Sequence, residues 1–389
     1  MTRLRAEFER LAAEAPQVDL TERVVRRARR GRVGAVGSAL AVLVVVALGA
    51  SVLTTDSGGD TVSARADAAL PASGVSPVSY AYYDWCGESL EPGKMSRLSG
   101  LECLQWRVVT RAGDTFRMPE ALSVYTKQTK SNYMNTAAPL VITADGSRIA
   151  YYSERDERFA VRDLASGQIW LTPQTVPIAT MVKTGGVITL SPDGRHLGVN
   201  VSGSLNTVVD VESGHALDIP SGWWVQRVGA GGSPVVVSDG DRLGSLVDGR
   251  VIPLTEKAWN TIGWLAADGR TLAYLTRPAS DDSRPTLSES TPKDTRIVTV
   301  DTTTGKVLTS SGLRSAPERF FPMEMGPWLS PTEVVAAESV AGGDWGKTGK
   351  GIPDIGSVTY AINIRDGQVR KLDTYSFSAW AGGLTLAGF

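Results

Sequence analysis

Histidine and cysteine are scarce in this chain of 389 residues, which contains only His196, His215, Cys86 and Cys103. A zinc site usually takes four Cys, His or carboxylate ligands, so this supply argues against one. The Gly-x-Ser-x-Gly turn that presents the nucleophile of many serine hydrolases is also absent. Both histidines occupy repeat positions that other polar residues hold elsewhere, and we interpret them as surface residues. The sequence therefore predicts neither a cofactor nor a catalytic residue.

Two weaker signals for ligand binding are outweighed by their context. Residues 341–348 end in Gly-Lys-Thr, as a phosphate-binding loop does, but Ala takes the place of the first Gly and the context favours strands. We interpret this segment as an exposed loop.

With a formal net charge of −1, the chain is not expected to bind nucleic acid. Four acids lack the spacing of a calcium loop and are interpreted as solvated turn residues: Asp239, Asp241, Asp281 and Asp282.

What the sequence does contain is a repeat that begins near residue 140. In each copy an apolar strand leads to an Asp-Gly turn, a second strand follows, and an Asp then stands four residues before a Gly. Apolar residues recur at every second position around these turns, which is typical of strands with one buried face. Two hairpin turns per unit predict four-stranded sheets, the blades of a β-propeller. The copies are Asp145-Gly146 with Asp163 and Gly167, Asp193-Gly194 with Asp210 and Gly214, and Asp268-Gly269 with Asp301 and Gly305.

Three less regular units complete the predicted ring. Residues 234–254 and 328–372 form two of them, with Ser238-Asp239-Gly240 and Ser330-Pro331-Thr332 at the turn, and residues 79–119 form the sixth. The third regular copy carries an inserted exposed loop at residues 278–294.

Ring closure is expected from the two ends of the repeat region. The first unit lacks an innermost strand, whereas the apolar residues 379–389 have no partner of their own. We expect this last strand to complete the first blade, because closure leaves no open sheet edges. The sequence thus predicts an all-β fold over residues 77–389, a β-propeller of about six four-stranded blades, within a range of five to seven.

The sequence Ser191-Pro192-Asp193-Gly194-Arg195, with weaker copies at Asp145 and Asp268, resembles the repeat of TolB-type, WD-repeat-like propellers. The resemblance covers roughly residues 140–372. It implies a propeller fold, but propellers of this type are similar to binding scaffolds, translocation factors and non-catalytic peptidase domains alike. The resemblance carries no catalytic residue over to this chain.

Residues 33–53 contain no charged residue, and as a helix they would be about 30 Å long, enough to cross a bilayer. Arginines crowd the residues just before them, and positive residues remain on the cytoplasmic side. We therefore predict a single-pass cell-membrane protein, with residues 1–32 in the cytoplasm, a transmembrane helix at 33–53, a flexible linker at 54–76, and the propeller outside. A cleaved signal peptide is the alternative, because Ala64-Arg65-Ala66 loosely fits a cleavage site.

Residues 1–32 carry apolar residues at helical spacing on both sides of Pro16, which favours two short amphipathic helices. The simpler interpretation is a basic segment that lies on anionic lipid. The alternative is a docking segment for a cytoplasmic partner, and the one-span, Arg- and Ala-rich arrangement is similar to that of actinobacterial anti-sigma factors. The zinc-binding His and Cys of many such proteins have no counterpart in residues 1–32.

Cys86 and Cys103 both lie within the first predicted blade. Outside the reducing cytoplasm such a pair is expected to form a disulfide, which would stabilise the fold by about 3 kcal/mol on the chain-entropy model. A redox role would favour Cys-x-x-Cys, which is absent.

Tryptophan marks the candidate binding face. Trp264, Trp328 and Trp380 each enter a predicted innermost strand, and Trp224 lies with Trp223 near another. The starts of innermost strands converge at the mouth of the central channel, where exposed Trp residues suit a glycan, a peptide or a protein loop. The alternative is that these side chains wedge between neighbouring blades.

The sequence therefore predicts a membrane-anchored extracytoplasmic propeller that binds a ligand or a protein and is not an enzyme. One alternative is an anti-sigma-like transmembrane regulator that couples the propeller to a cytoplasmic factor through residues 1–32. The other is an extracytoplasmic hydrolase or lyase acting on a cell-wall or sugar substrate. Acids or histidines converging on the channel would favour the enzyme, and a partner of the N-terminal segment would favour the regulator.

Overall fold

The computed structural model contains six main β-sheets, which form the blades of a propeller. The prediction of an all-β, six-bladed propeller is thus confirmed. Residues 1–67, with the predicted transmembrane helix and N-terminal segment, lie outside the described residues. The structure describes residues 68–84, 105–128, 133–240, 242–254, 263–276, 295–317, 320, 324–341, 355–377 and 381–389.

Blade 1 contains strands from both ends of the propeller sequence, and the other blades are continuous in sequence. Blade 1 comprises β1 (Ala68–Ala69), β2 (Val78–Asp84), β3 (Trp106–Thr110) and β4 (Thr115–Met118). It is followed by a separate hairpin of β5 (Val124–Gln128) and β6 (Tyr133–Ala137). Blade 2 comprises β7 (Leu140–Ile142), β8 (Arg148–Ser153), β9 (Arg158–Asp163) and β10 (Ile169–Leu171), and helix α1 (Ile178–Thr184) follows it.

Blade 3 comprises β11 (Val187–Leu190), β12 (His196–Val201), β13 (Leu205–Asp210) and β14 (Ala216–Asp218). Blade 4 comprises β15 (Trp224–Val228), β16 (Val235–Ser238), β17 (Leu243–Val247) and β18 (Arg250–Pro253). Blade 5 comprises β19 (Trp264–Leu265), β20 (Thr271–Thr276), β21 (Arg296–Asp301) and β22 (Val307–Gly312). Blade 6 comprises β23 (Glu324–Ser330), β24 (Glu333–Ala341), β25 (Ile355–Asn363) and β26 (Val369–Phe377), and β27 (Ala381–Leu386) returns to blade 1.

Apart from the parallel pairing of β1 with β4, neighbouring strands in each blade are antiparallel, which gives the ring two different faces near the channel. Every innermost strand begins on one face, which we call the loop face, and ends on the other, which we call the turn face. The turn face carries the Asp-Gly turns, where Gly146, Gly194 and Gly269 have positive φ angles of 75°, 66° and 67°. The loop face carries the connections between second and third strands and those between blades.

The predicted ring closure is confirmed. Strand β27 pairs antiparallel with β2, with Leu386 opposite Tyr80 and Thr385 opposite Ala81. Leu386 and Ala81 are both buried, and Ala387 packs against the same core cluster. Hydrogen bonds of this ladder join the two ends of the propeller sequence, so the inner edge of β2 is covered by β27.

The prediction for the turn in blade 4 was wrong. Ser238-Asp239-Gly240 joins the second and third strands of the blade, on the loop face, because β16 ends at Ser238. The first hairpin instead turns between Gly229 and Pro234, where Gly229 donates to the carbonyl of Pro234 at 2.9 Å. Gly231, with φ of 72°, supplies the positive φ angle in this turn.

Two inserted elements lie against blade 2. Helix α1 packs near β5, and Met181 of this helix is fully buried with Phe159 and Tyr152 of the blade. The Tyr152 hydroxyl donates to the carbonyl of Val176 at 2.6 Å, which fixes the approach to the helix. Within the part of the chain that the structure describes, no helix has the length and apolarity to cross a membrane.

The last part of the predicted flexible linker packs against the propeller. Strand β1 pairs in parallel with the outer strand β4, and the residues that follow it, 70–77, form a strap between blades 1 and 2. In the strap, Leu70 and Val75 are buried, and the backbone of Val75 donates to the carbonyl of Leu164 at 3.0 Å. The residues 68–76 are therefore part of the folded propeller.

Arg162 holds the strap in place. Its guanidinium lies buried, forms an ion pair with Glu120, and donates to the carbonyl oxygens of Pro71 and Ala72 in the strap. A side chain of blade 2 thus connects the strap to the segment that leaves blade 1.

The strap also fills a position that neighbouring backbone occupies in blades 5 and 6. A Cβ atom on Gly305 or Gly367, the glycines of second turns, would overlap backbone of the preceding blade, at Pro253 and Gly312 respectively. The equivalent glycine of blade 2, Gly167, has the strap residue Ala72 in this place. Glycine is needed at these turns because a neighbouring backbone approaches too closely for a side chain.

Candidate functional site

The innermost strands of the six blades can be aligned at one equivalent position, and the residues at this position lie at one level of the central channel. At this position in blades 1 to 5 the innermost residue stands opposite a residue in the middle of the second strand, as Thr189 stands opposite Gly198 and Trp264 opposite Ala273. In blade 6 it is Trp328, which precedes the first turn by the same spacing as Thr189. We call these six residues the channel ring: Thr385, Val141, Thr189, Arg227, Trp264 and Trp328 of blades 1 to 6.

The channel ring is unequal around its circumference. Blades 1 to 3 contribute Thr, Val and Thr, whereas blades 4 to 6 contribute Arg and two Trp residues. Large aromatic and cationic groups therefore concentrate on one half of the ring, which we call the aromatic half. Neither an acid nor a histidine occupies any of these six positions.

Trp264 is the centre of the aromatic half. The guanidinium carbon of Arg227 lies 4.1 Å from the centroid of the Trp264 ring, a cation–π contact between blades 4 and 5. The indole nitrogen of Trp328 donates to the carbonyl oxygen of Trp264 at 3.1 Å, which joins blades 5 and 6. Trp264 and Trp328 are each half-buried. These contacts agree with wedging between blades, yet both side chains retain exposed surface.

Phe389 reaches the same place from the turn face. Its ring centroid lies 6.2 Å from that of Trp264 at an angle of 46° between the planes. A Cβ atom on Gly326 would overlap the Phe389 ring, so that ring lies directly on the backbone of β23. The half-buried Phe389 thus contacts blades 5 and 6 after a chain segment that belongs to blade 1.

Trp224 lies in a different environment, at the start of β15 on the loop face. It is 39% exposed, and Val187 at the start of the adjacent strand β11 is 63% exposed. Its ring lies beside Gly240 in the loop between the second and third strands of its own blade. Trp224 and Val187 are thus exposed apolar residues at the starts of innermost strands in neighbouring blades, and we call them the mouth pair.

Trp223 is part of the blade structure. Its carbonyl accepts a hydrogen bond from the side-chain amide of Asn206 at 2.5 Å, and the guanidinium of Arg242 lies 5.7 Å from its ring centroid. Arg242 is itself paired with Asp239, whose carboxylate lies 2.5 Å from the guanidinium. The two adjacent tryptophans thus have different surroundings.

The structure brings some of the sequence-predicted site residues together. Trp264 and Trp328 are in contact, but Trp328 stands near the end of its strand, whereas Trp224 and Trp264 begin theirs. Trp380, like Cys86 and Cys103, lies outside the described residues. Sequence reasoning missed Arg227, Val187 and Phe389, which a comparison of equivalent positions in the innermost strands could have found.

The charges that recur in the repeat lie on the turn face and stabilise the blades. In three blades the Arg that follows the Asp-Gly turn pairs with the Asp of the second turn: Arg148 with Asp163 at 3.4 Å, Arg195 with Asp210 at 3.0 Å, and Arg270 with Asp301 at 3.0 Å. The Arg195 hydrogen bond is the main cause that lowers the pKa of Asp210. A hydrogen bond from the Thr303 hydroxyl is the main cause that lowers the pKa of Asp301 to about 2.

The surface interpretation of His196 was wrong, because its side chain is only 13% exposed. A Cβ atom on Gly232 of blade 4 would lie 2.7 Å from the His196 ring, so the ring packs between blades 3 and 4. The nearby Ser191 hydroxyl donates to Asp193, and the Asp193 carboxylate accepts from the Gly231 backbone at 2.9 Å. This Ser, Asp and His grouping fixes a turn and an interblade contact, and the serine does not bond the imidazole. His215, by contrast, is exposed.

A metal centre finds no support in the described segments, where no three His, Cys, Asp or Glu side chains come together. The carboxylates of the Asp-Gly turns instead accept hydrogen bonds within the turns, as Asp145 does from Thr143 and Ser147.

Comparisons with known proteins find likeness in structure alone. No protein-family model matches the chain, and no curated protein sequence does. Solved structures that it is similar to include TolB from Acinetobacter baumannii, with 18% identity, a TM-score of 0.42, and coverage of 82% of this chain and 68% of the other. An oligogalacturonate lyase in complex with manganese is 10% identical, with a TM-score of 0.35 and coverage of 69% and 70%. A nidogen/laminin complex gives 10% identity, a TM-score of 0.39 and coverage of 80% and 98%. Likeness at this level carries no argument about function.

Proposed function

We propose that this protein is a binding module that recognises a protein partner with the loop face of its propeller. The observation that carries the proposal is the mouth pair, because Trp224 and Val187 each expose apolar surface at the start of an innermost strand, in two neighbouring blades. Trp is enriched among the residues that contribute most of the binding energy of protein interfaces.

The lengths of the connections support the same face. The second and third strands are joined by residues 85–105 in blade 1, 277–295 in blade 5 and 342–354 in blade 6, and these connections begin and end on the loop face. On the turn face the first and second strands of blades 2 to 6 are joined by short turns. Binding residues concentrate on long loops that a rigid scaffold holds.

For the cellular arrangement, we propose a single-pass anchor at residues 33–53 with the propeller outside the cytoplasm. The uncharged 33–53 segment and the Arg-rich residues before it support this orientation. The strap begins at residue 70, which leaves residues 54–69 between the anchor and the strap. Within this arrangement Cys86 and Cys103 form the disulfide of the first blade.

A second candidate function is a transmembrane regulator, which the helical spacing of apolar residues in 1–32 favours. In that role the propeller senses an external partner and residues 1–32 hold a cytoplasmic factor. The enzyme alternative draws less support, because the channel ring consists of Val, Thr, Arg and Trp, none of which is a usual general acid or base.

Co-purification from native membranes tests both functions. The full-length protein is compared with a Val187→Ala/Trp224→Ala variant and with a control, Val307→Ala/Leu308→Ala, which alters the exposed outer strand β22. A fourth version lacks residues 1–30 and keeps Arg32 with one added Arg, so that the orientation of the anchor is preserved.

An external protein that is lost only with the Val187→Ala/Trp224→Ala variant is the expected result for a binding module. A cytoplasmic protein that is lost only on deletion of residues 1–30 supports the regulator. Partners that are the same for all four versions, or none at all, contradict both proposals.

A further inference from the structure

The segment 386–389 is bound across the channel in the manner of a peptide ligand. The backbone of Ala387 donates to the carbonyl of Ser79 at 2.9 Å, and that of Gly388 donates to the carbonyl of Ile142 at 2.9 Å. Ala387 also forms a parallel bridge with Ile142 of blade 2. The channel wall therefore recognises peptide backbone before the Phe389 side chain enters.

The residue before the aromatic ring must be small. Gly388 has φ of 84°, and a Cβ atom there would lie 3.0 Å from Pro327 and 3.1 Å from Ala144. A side chain at this point would strain the backbone and would require small shifts of Pro327 and Ala144. The site is thus shaped for Gly followed by an aromatic residue.

The Phe389 ring packs on a complementary surface formed by blades 5 and 6. Gly326 leaves room that any side chain would remove, and Trp264 presents an aromatic face that is supported on blade 4 by Arg227. Such tilted aromatic pairs are favourable beyond the area that they bury.

Phe389 does not belong to the structural core. It is half-buried, and it is a member of none of the five buried clusters that the described residues form. Its ring is instead held by Gly326 and by half-buried residues of the aromatic half. An occupant of this kind can leave without opening the core of a blade.

We propose that the aromatic half of the channel is a binding site for a protein segment containing Gly followed by an aromatic residue, and that Phe389 occupies this site until such a segment displaces it. The inference rests on the proposed function, since it names the chemistry of a partner for the same propeller. A peptide fits better than a free aromatic molecule, because Ile142 and Ser79 bind backbone N–H groups.

The test uses the peptide acetyl-Ala-Gly-Phe-amide with 4-fluorophenylalanine as its last residue, observed by ¹⁹F NMR. A variant that ends at Leu386 vacates the ring site and the carbonyls of Ser79 and Ile142, and it is expected to bind the peptide. Full-length wild-type protein is expected to bind the peptide at least about tenfold more weakly, because its own residues 387–389 compete for the site. Adding Gly326→Ala or Trp264→Ala to the variant that ends at Leu386 should abolish binding.

Two controls define the ligand class. Replacing the fluorinated residue of the peptide by Ala, with binding then followed by calorimetry, should remove binding, and fluorinated phenylalaninamide alone should bind about tenfold more weakly than the peptide because it lacks the backbone donors. Equal binding of both would instead identify a site for small aromatic molecules and overturn the proposal of a protein segment.

A second measurement guards against misfolding of the variant. Incorporation of 4-fluorophenylalanine at position 389 of otherwise wild-type protein gives a signal that should move to its solvent position when excess unlabelled peptide is added. An unmoved signal at about 5 mM peptide, or equal binding by the wild type and the variant that ends at Leu386, overturns the inference. Co-purification with the mouth-pair variant tests the loop face independently. A negative result of the NMR test therefore does not contradict the proposed function.

Discussion

Gly326 and Phe389 illustrate how one missing side chain determines what the channel holds. The ring of Phe389 lies on the backbone of β23 because position 326 has only hydrogen there. The contact links the segment after β27 to blade 6, which is the neighbour of blade 1 in the ring. Sequence reasoning identified Trp264 as important but not this partner, since Gly326 shows no periodicity and its role depends on a residue distant in sequence.

We expect Gly326→Ala to destabilise the protein by about 1 to 3 kcal/mol, because the new methyl group overlaps the Phe389 ring. Adding Phe389→Ala should relieve most of this loss, and urea denaturation of the four proteins in the double-mutant cycle measures the coupling. Additive effects of the two substitutions would contradict the contact.

Arg162 is the second residue from which a measurable loss is expected. Arg162→Ala removes the partner of Glu120 and two donors to the strap, and breaking such a buried pair costs about 3 kcal/mol. The strap should also become a site of limited proteolysis. Arg195→Ala is the matched control, because the Arg195 side chain is 47% exposed and surface pairs contribute less than about 1 kcal/mol. Equal losses for the two variants would contradict the role of the strap.

At the scale of elements, the hairpin turns explain both the success and the error of the sequence interpretation. Where Asp-Gly is followed by Arg and a second Asp, the turn, its hydrogen bonds and the Arg–Asp pair are all local, so the pattern is legible in the sequence. In blade 4 the first turn lacks Asp-Gly altogether. The Asp-Gly of this blade lies in the loop between the second and third strands, so the sequence pattern pointed to the wrong connection. Helix α1 and the β5–β6 hairpin were missed because they interrupt the period.

The turn carboxylates predict how stability depends on pH. The folded-state pKa values of the turn aspartates lie below their ordinary range, mainly through hydrogen bonds in Asp301, where the value is about 2. A lowered pKa means that the charged form is stabilised by folding, so the contribution is complete above the unfolded pKa of about 4 and is lost as pH falls. The others with lowered pKa values are Asp145, Asp163, Asp193, Asp210 and Asp268.

We therefore expect urea midpoints to be nearly constant from pH 7 to about pH 5 and to fall steeply between about pH 4 and pH 2. Asp301→Asn should lower the midpoint at pH 7 and reduce the drop at low pH, since one contributing charge is gone. Midpoints that stay constant down to pH 2 would contradict this role of the turn aspartates.

At the scale of the whole molecule, ring closure was predictable from the two ends of the repeat region. The first unit lacked an innermost strand and the last strand lacked a partner, so the last strand was expected to pair with the first unit. The strap was not predictable in this way. Its small residues resemble a linker in composition. The structure shows that it is packed, through the buried Leu70 and Val75 and through the hydrogen bonds from Arg162 to its carbonyl groups.

Leu386→Ala tests whether the ring unfolds as a unit. Leu386 is buried in the closing strand, and loss of such a side chain costs about 3 kcal/mol. A single transition, coincident by circular dichroism and tryptophan fluorescence, is expected at a lower urea concentration. Leu217→Ala on the exposed edge strand β14 should change the midpoint little. Separate transitions for blade 1 and the other blades would contradict cooperative closure.

The pairing of β27 with β2 also dictates when this protein can finish folding in the cell. During synthesis, the inner edge of β2 in blade 1 stays unpaired until residues 381–386 have been made, because these residues form the strand that covers it. Unpaired strand edges of this kind are sites of association with other chains. A premature stop codon ahead of residue 381 would therefore leave a nearly complete ring as an aggregation-prone product, and quality control should remove it although five blades are intact.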